Sequence, residues 1–202
     1  MKRVILIRHA STADNAKNKY VGCRTDTDIM PPDPASVERT RKAVSAKLTG
    51  KTAYCCGPMK RVRSTAKTLF PEESFIVLDK MYEIDFGDFE GKSFEELKDD
   101  NNYRAWIKSG GMTEFPGGEG RIAFTNRTMS ALNEALKLSG ERDTVVIVCH
   151  GGSIMAIMGS LTGGNYYDFL VENLDGYVVD IDENDKGISV ISYDRLVGRS
   201  SD

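Results

Sequence analysis

The sequence has no long apolar run. None approaches the ~18 consecutive apolar residues that a membrane-spanning helix needs, and the apolar stretch before Arg8 is too short for a signal peptide. These two absences predict a cytoplasmic protein with no membrane partner. The formal net charge of −3 also lacks the basic excess that is typical of nucleic-acid binders. We therefore expect no nucleic-acid partner.

Cysteine is scarce as well, and its spacing does not indicate a metal site or a disulfide framework. Cys55 and Cys56 are adjacent in a strand-like run, so their side chains should point to opposite faces of a sheet. Cys23 and Cys149 stand alone, and no C-x-x-C motif occurs. We interpret all four as reduced thiols, Cys55, Cys56 and Cys149 in predicted strands or next to them.

The composition is that of an ordinary globular protein. Apolar residues make up 40% of the 202 positions and charged residues 28%, which excludes wholesale disorder. A domain contains roughly 150 residues, and the sequence shows no repeat, charge block or linker that would mark a boundary. We therefore predict a single domain over residues 1–202.

Short apolar runs recur along the chain and predict the strands of a sheet. The run at 144–149 is nearly all apolar, as expected for a strand that is covered on both faces. The last two runs are separated only by a polar turn around Asn184-Asp185, so we expect one antiparallel member. The predicted strands are residues 4–7, 52–56, 75–78, 144–149, 176–181 and 188–193.

Helical segments alternate with these strands. Asp33-Pro34 is typical of a helix start and predicts a helix to about Leu48. Further helices are predicted at 60–70, in one or two pieces at 93–108, and at 153–161. A stripe of apolar residues predicts a long helix that ends near Gly140, formed by Ile122, Met129, Leu132 and Leu136. The alternation predicts an α/β fold, a three-layer α/β/α sandwich with a mostly parallel central sheet.

Four reactive side chains follow the predicted strands at short range. His9 and His150, the only histidines of the sequence, come directly after the first and fourth apolar runs. Arg61 begins the helix after the second run, and Glu83 follows the third. Because ligands of open α/β sheets bind at the carboxyl ends of the strands, we expect these four residues to meet there.

This set of side chains suits a phosphate group. Arg8, Arg61 and the two imidazoles would form a compact cationic pocket, and guanidinium groups match phosphate oxygens in a bidentate manner. Backbone N–H groups at the start of the helix near Lys60 would add donors. An imidazole kept neutral by nearby cations is a nucleophile, and Glu83 can supply a proton.

Other site chemistries fit less well. Two histidines beside two arginines fall short of a zinc ligand set, and no G-x-x-x-x-G-K-[ST] phosphate loop occurs. His150-Gly151-Gly152 resembles part of a lipase oxyanion loop, but the sequence has no G-x-S-x-G nucleophile elbow.

Five segments, in order along the chain, resemble the motifs of the histidine phosphatase, or phosphoglycerate-mutase-like, superfamily. LIRHASTADN at residues 6–15 is similar to its R-H-G-E-T-x-x-N signature, and GPMKRVRSTA at 57–66 to its second arginine motif. YEIDFGDFEG, FPGGEG and VCHGGS resemble its acid-bearing segment, substrate loop and second histidine motif. The likeness extends from Lys2 to about Thr162. It implies a small helical cap at about 84–120.

The resemblance also implies residue roles. His9 would be the phosphorylated nucleophile and Glu83 the proton donor, with no metal or other cofactor. The phosphate-binding residues would be Arg8, Asn15, Arg61 and His150, and further substrate contacts would come from Thr12, Gly22, Cys23, Glu119 and Gly151. The sequence departs from the family pattern at Ala10 and Ser11, positions that by the resemblance do not carry the phosphoryl chemistry, and at Gly120, where Ser is common in the family.

Three functions remain open on the sequence alone. A phosphomonoesterase would hydrolyse the phosphohistidine, a phosphoglycerate mutase would shield it from water, and a binding module would form none. The short segment between Glu83 and Pro116 favours the phosphatase over the mutase, and the filled catalytic positions disfavour the binding module. The partner would be a small phosphorylated metabolite, and the motifs look most like the α-ribazole phosphatase branch. Aromatic residues of the cap would either stack on a base or form its core, namely Phe86, Phe89, Tyr103, Trp106 and Phe115.

Overall fold

A mixed sheet organises the computed structural model, which describes residues 1–184 and 187–198. Within these ranges the sheet has six strands in the order β3-β2-β4-β1-β5-β6. The pairs β1–β4, β2–β4 and β2–β3 are parallel, whereas β5 pairs antiparallel with both β1 and β6. The strands are β1 (Lys2–Arg8), β2 (Thr52–Cys56), β3 (Phe75–Val77), β4 (Thr144–Cys149), β5 (Gly176–Asn184) and β6 (Gly187–Arg195).

Helices cover both faces of this sheet, so the predicted three-layer α/β/α fold is confirmed. One apolar cluster joins β1 and β4 to the long helix and the helix after β4, and a second joins them to the first two helices. Cys55 lies in the first cluster and Cys56 in the second, as the alternation of a strand requires. The helices are α1 (Pro34–Ser45), α2 (Lys60–Leu69), α3 (Phe94–Leu97), α4 (Asn101–Lys108), α5 (Arg121–Ser139) and α6 (Gly151–Thr162).

Local signals fix where α1 begins and where it ends. The Asp33 carboxylate accepts a hydrogen bond of 2.9 Å from the backbone N–H of Ser36, and Pro34 occupies the first helical position. The helix ends at Ser45 rather than Leu48, because the next residues form a turn. Likewise α6 begins at Gly151, two residues before the predicted start.

The segment between the third strand and α5 forms a layer over one end of the sheet. Its two helices are each capped by a side chain, Ser93 for α3 and Asp100 for α4. A third apolar cluster fills the space beneath them and includes Phe89, Tyr103, Trp106 and Phe115. These aromatic residues thus form a core of their own. The single domain over 1–202 and the cap at about 84–120 stay predictions.

The predicted apolar stripe of α5 is wrong at its first position. Ile122 is 68% exposed, because at about 3.6 residues per turn it faces nearly opposite to Phe124, which packs in the third cluster. The buried face begins at Phe124 and continues through Leu132 and Leu136. The predicted turn between the last two strands lies partly outside the described residues. Among the helices that the structure describes, none is long and apolar enough to cross a membrane.

We predict that Gly176→Ala destabilises the protein by about 2 kcal/mol or more. Gly176 pairs with Ile7 at the start of β5, and a Cβ there would overlap the backbone carbonyl oxygen of Leu6. Because this oxygen belongs to the backbone of β1, it cannot rotate away as a flexible side chain could. The measurement is the urea midpoint at constant m-value. Gly159→Ala in α6 is the control, since its Cβ would lie 3.6 Å from the nearest atom, and an equal effect of the two variants would contradict the prediction.

Candidate active site

The two histidines meet at the carboxyl ends of neighbouring parallel strands. Arg8, the last residue of β1, pairs in register with Cys149, the last residue of β4, so His9 and His150 follow side by side. The backbone N–H of His9 donates to the carbonyl oxygen of Cys149 at 3.0 Å. The imidazole centroids lie 5.2 Å apart, and both side chains are buried.

A backbone carbonyl determines which nitrogen of His9 carries the proton. Nδ1 lies 2.8 Å from the carbonyl oxygen of Ala10, which can only accept, so Nδ1 donates and Nε2 keeps its lone pair. Burial, and secondarily the guanidinium of Arg61, lowers the pKa of His9 to about 3. The imidazole is therefore neutral at physiological pH and has the protonation state of a nucleophile.

The arginines combine backbone contacts with unused donors. Arg8 donates from Nη1 to the carbonyl oxygen of Val171 at 2.6 Å, and Arg61 donates to those of Thr25 at 2.6 Å and Gly22 at 3.0 Å. These bonds hold both guanidinium groups in fixed positions. The Nε atom of each is buried and has no hydrogen-bond partner among the described residues.

His150 is fully buried behind His9 and has unused hydrogen-bonding capacity. Neither ring nitrogen has a partner in residues 1–184 and 187–198. Burial, and secondarily Arg61, lowers its pKa well below the usual value, so the ring is neutral. Buried polar atoms are normally hydrogen-bonded. Together with the two Nε atoms, this ring therefore forms a cluster of donors that suits a dianionic phosphate.

Glu83 is held against the amino end of α6. Its carboxylate accepts hydrogen bonds from the backbone N–H groups of Ile84 at 2.9 Å and Gly152 at 3.1 Å. Burial nevertheless raises the pKa of Glu83, in spite of these bonds and the nearby Arg61 and Arg8. A raised pKa increases the fraction of protonated carboxyl near neutral pH, which is the state of a proton donor.

A cavity of about 160 Å³ opens in front of His9. Of the predicted site residues, Arg8, His9, Asn15, Glu83 and Gly151 line it. Sequence reasoning did not assign the other lining residues to the phosphate site, although Phe86 and Gly152 lie in the quoted motifs. These residues are Lys19, Tyr20, Val21, Phe86, Gly152, Met155 and Leu170.

Arg61 and His150 are not part of this lining, and neither are the remaining predicted substrate contacts. Thr12 is buried and bonds the Asn15 side chain through its backbone N–H at 3.1 Å. The carbonyl oxygen of Gly22 accepts a hydrogen bond from Arg61. The backbone N–H of Cys23 donates to the carbonyl oxygen of Ile84 at 3.2 Å. The Glu119 carboxylate pairs with an arginine of α5. Contact of these four residues with a substrate stays a prediction.

A second cavity of about 220 Å³ adjoins the first and is mostly apolar. The two share Tyr20, Glu83, Phe86, Gly152 and Met155 in their linings. The second extends beneath the cap to Trp106, Phe115, Tyr166 and Arg121. The indole Nε1 of Trp106 is buried and has no hydrogen-bond partner within the part of the chain that the structure describes. A group next to the phosphate would thus meet aromatic walls.

Metal ligands are not gathered at this site. Among the described residues, no three or more His, Cys, Asp or Glu side chains lie close enough together to hold a metal ion.

A sheet with two histidines and two arginines at its carboxyl edge defines a class of proteins that bind and transfer phosphoryl groups. The family model of the histidine phosphatase superfamily (branch 1) matches residues 4–193. The chain belongs to this family, and the family predicted from its motifs is confirmed.

Named relatives agree with this assignment. The chain is 28% identical over 197 residues to phosphoserine phosphatase 1 of Hydrogenobacter thermophilus. This match covers 91% of the chain and 88% of that protein. It is 31% identical over 171 residues to a metal-independent phosphoserine phosphatase of Arabidopsis thaliana, covering 79% and 68%. The fold is similar to that of the α-ribazole phosphatase of Shigella flexneri, with a TM-score of 0.71, 22% identity and coverage of 93% and 94%. The chain is thus a phosphatase enzyme, as predicted.

We predict that the protein loses stability on acidification in a way that depends on His9. The folded-state pKa of about 3 lies below the unfolded value of 6.5. Below pH 6.5 the unfolded chain therefore binds a proton that the folded protein does not. The free energy of unfolding should fall by about 1.4 kcal/mol per pH unit for this group as the pH drops from 6.5 toward 3.

The measurement is urea unfolding between pH 7 and pH 4, compared with His9→Asn. An asparagine keeps a donor for the Ala10 carbonyl but does not titrate, and the other groups are common to both proteins. We expect a smaller loss of stability for the variant. Parallel curves would mean that His9 is not held neutral by the fold.

Proposed function

We propose that this phosphatase is a metal-independent phosphomonoesterase that acts on a small phosphorylated metabolite through a phosphohistidine at His9. The observation that carries the proposal is the free lone pair of His9 Nε2, set by the bond from Nδ1 to the Ala10 carbonyl. It stands among buried, unpartnered donors of Arg8, Arg61 and His150. The two guanidinium groups supply the positive charge that the transition state of phosphoryl transfer requires, and His150 adds a hydrogen-bonding group.

The reaction has two steps. In the first, Nε2 of His9 attacks phosphorus, the P–O bond to the alcohol breaks, and the departing oxygen takes the proton of Glu83. In the second, water attacks the phosphohistidine, its proton passes to the Glu83 carboxylate, and the P–N bond breaks to release phosphate. Each step returns Glu83 to the state that the other needs.

The size of the covering layer supports the phosphatase over the mutase. A mutase must keep water from the phosphohistidine until an intermediate is rephosphorylated. Here the described segment between β3 and α5 contains two short helices, α3 and α4, and neither of them lines the cavity in front of His9. A pure binding module would gain nothing from a buried carboxyl whose pKa is raised beside the ligand.

The adjoining apolar cavity supports an alcohol leaving group that carries an aromatic ring. The benzimidazole of α-ribazole 5′-phosphate is planar and apolar, and its free ring nitrogen can accept one hydrogen bond. Phe86 and Phe115 would contact such a ring, and the unpartnered Nε1 of Trp106 would donate to its nitrogen. We propose α-ribazole 5′-phosphate as the first candidate substrate.

Phosphoserine is the second candidate, for two reasons. The two sequence relatives described above are named as phosphoserine phosphatases. In addition, Lys19 lines the phosphate cavity and could pair with the carboxylate of a small amino acid.

We predict that purified protein in excess EDTA hydrolyses one of these two esters and forms a phosphohistidine at His9. Rapid acid-free quenching followed by mass spectrometry should find a base-stable, acid-labile phosphoryl group on the peptide that contains His9. The kcat/KM values for α-ribazole 5′-phosphate, phosphoserine and 3-phosphoglycerate identify the leaving group that the pocket prefers.

The controls separate mechanism from substrate. His9→Ala should abolish the phosphopeptide, and normal turnover by this variant would refute the nucleophile. An absolute need for a divalent ion would refute the metal-free mechanism. Trp106→Phe should reduce kcat/KM for the ribazole ester but not for phosphoserine, because only the former has an aromatic ring to place in the cavity that Trp106 lines.

We predict that Glu83→Gln slows phosphorylation of His9 by alkyl phosphates far more than by p-nitrophenyl phosphate. An alkoxide needs a proton as it departs, and general acid catalysis is typically worth ~10²–10⁴-fold. Nitrophenolate departs without one. Single-turnover rates must be compared, because Glu83 also acts in the second step.

The pH profile gives a second readout of the same role. A proton donor must be protonated, so the alkyl rate of the unmodified enzyme should fall as the pH rises through the raised pKa of Glu83. This alkaline decline should be absent in Glu83→Gln. Equal losses with both substrates would mean that Glu83 only supports the fold.

A further inference from the structure

Glu83 stands on a segment that has no regular secondary structure of its own. Residues 78–86, which connect β3 to the 3-10 turn Gly87–Phe89, contain only turn and irregular backbone. Buried backbone carbonyls still need hydrogen-bond donors. What holds this segment therefore determines where the carboxyl of Glu83 lies.

A side chain from α5 supplies those donors. Arg127 donates from Nη1 to the carbonyl oxygens of Lys80 at 2.8 Å and Tyr82 at 2.9 Å. Its guanidinium carbon also lies 3.4 Å from the ring centroid of Tyr82. Arg127 thus fixes the peptide immediately before Glu83.

The same guanidinium is joined to the loop on the other side of Glu83. Nε and Nη2 of Arg127 donate to the two carboxylate oxygens of Glu119 at 3.1 and 2.7 Å. The backbone N–H of Glu119 in turn donates to the carbonyl oxygen of Asp85 at 2.9 Å. The chain before and the chain after Glu83 are therefore tied to one ion pair.

The ion pair is well shielded but does not reach the cavity. The side chains of Arg127 and Glu119 are 13% and 18% exposed, and neither lines the pocket in front of His9. The charge of Arg127 also contributes to the lowered pKa of His150, so a substitution that keeps this charge is needed to isolate its geometric effect. A bidentate pair with further bonds to backbone suits the positioning of a segment, because the planar guanidinium fixes direction as well as distance.

We propose that Arg127 and Glu119 form a clamp that positions Glu83 for proton donation. Both are positioning residues that act through Glu83, and the inference rests on the proposed role of Glu83 as the acid. Displacement of a catalytic group by about 1 Å can cost about 10²-fold in rate. Loss of the clamp should thus affect the substrates that need the proton and leave the others nearly unchanged.

Arg127→Lys is the test, because lysine keeps the positive charge but lacks the planar guanidinium that donates two parallel hydrogen bonds. We expect single-turnover phosphorylation of His9 by an alkyl phosphate to fall by about 10-fold to 10²-fold, and that by p-nitrophenyl phosphate by less than about 3-fold. Glu119→Gln is the milder second variant and should change both rates in the same direction by smaller factors.

Arg3 offers a matched control at the opposite end of β1. It also forms a bidentate pair, with Asp180 at 2.7 and 2.8 Å, and also donates to a backbone carbonyl, that of Lys47 at 3.0 Å. Arg3→Lys should lower the melting temperature about as much as Arg127→Lys but leave the ratio of the two rates unchanged. Equal ratios in the two variants would overturn the clamp.

A double variant tests whether Arg127 acts through Glu83. Adding Arg127→Lys to Glu83→Gln should cause no further change in the ratio of the rates, because the group to be positioned is already gone. A further multiplicative change would overturn the proposal. If Glu83→Gln alone leaves the ratio unchanged, the acid role fails and the clamp with it. If Glu83→Gln changes the ratio of the rates but Arg127→Lys and Glu119→Gln do not, the acid role stands and the clamp alone is refuted.

Discussion

Burial of ionisable groups at the carboxyl ends of β1 and β4 is the constraint on which the rest of the site depends. Removal from water disfavours every charged form, so the same effect lowers the pKa of His9 and raises that of Glu83. The proposed nucleophile is thereby deprotonated and the proposed acid protonated at one pH. Two fixed guanidinium groups, those of Arg8 and Arg61, then remain as the positive charges that can bind an anion. No separate device is needed to give the two groups opposite roles.

Arginine side chains recur wherever an irregular segment borders the cavity. Arg8 donates to the carbonyl oxygen of Val171, Arg61 to those of Gly22 and Thr25, and Arg127 to those of Lys80 and Tyr82. Each joins a loop to a strand end or a helix, where the backbone is rigid. The walls of the pocket are therefore held by side-chain donors where sheet and helix hydrogen bonds are absent.

The sequence predicts the sheet, the helices and the reactive residues that follow the strands, because apolar period and chain order are local signals. The sequence does not predict that Lys19 and Tyr20 line the cavity. They lie in a loop that tertiary contacts bring over the pocket. Gly152 is also missed as the donor to Glu83, although a Cβ there would overlap the carboxylate. For Glu119, the position in a motif suggests contact with the substrate. In the structure its carboxylate instead pairs with Arg127 of α5, eight residues further along the chain.

The strand order has a consequence for how the chain folds. β1 is made first, yet its neighbours in the sheet are β4 and β5, which begin at Thr144 and Gly176. Both of its edges, and the apolar residues Val4–Ile7 along it, therefore stay without their partners until most of the chain has been synthesised. Such long-range pairing is slow, and unpaired edges invite association with other chains. The residue proposed as the nucleophile thus sits directly after a strand that lacks both of its partners until β5 has been made.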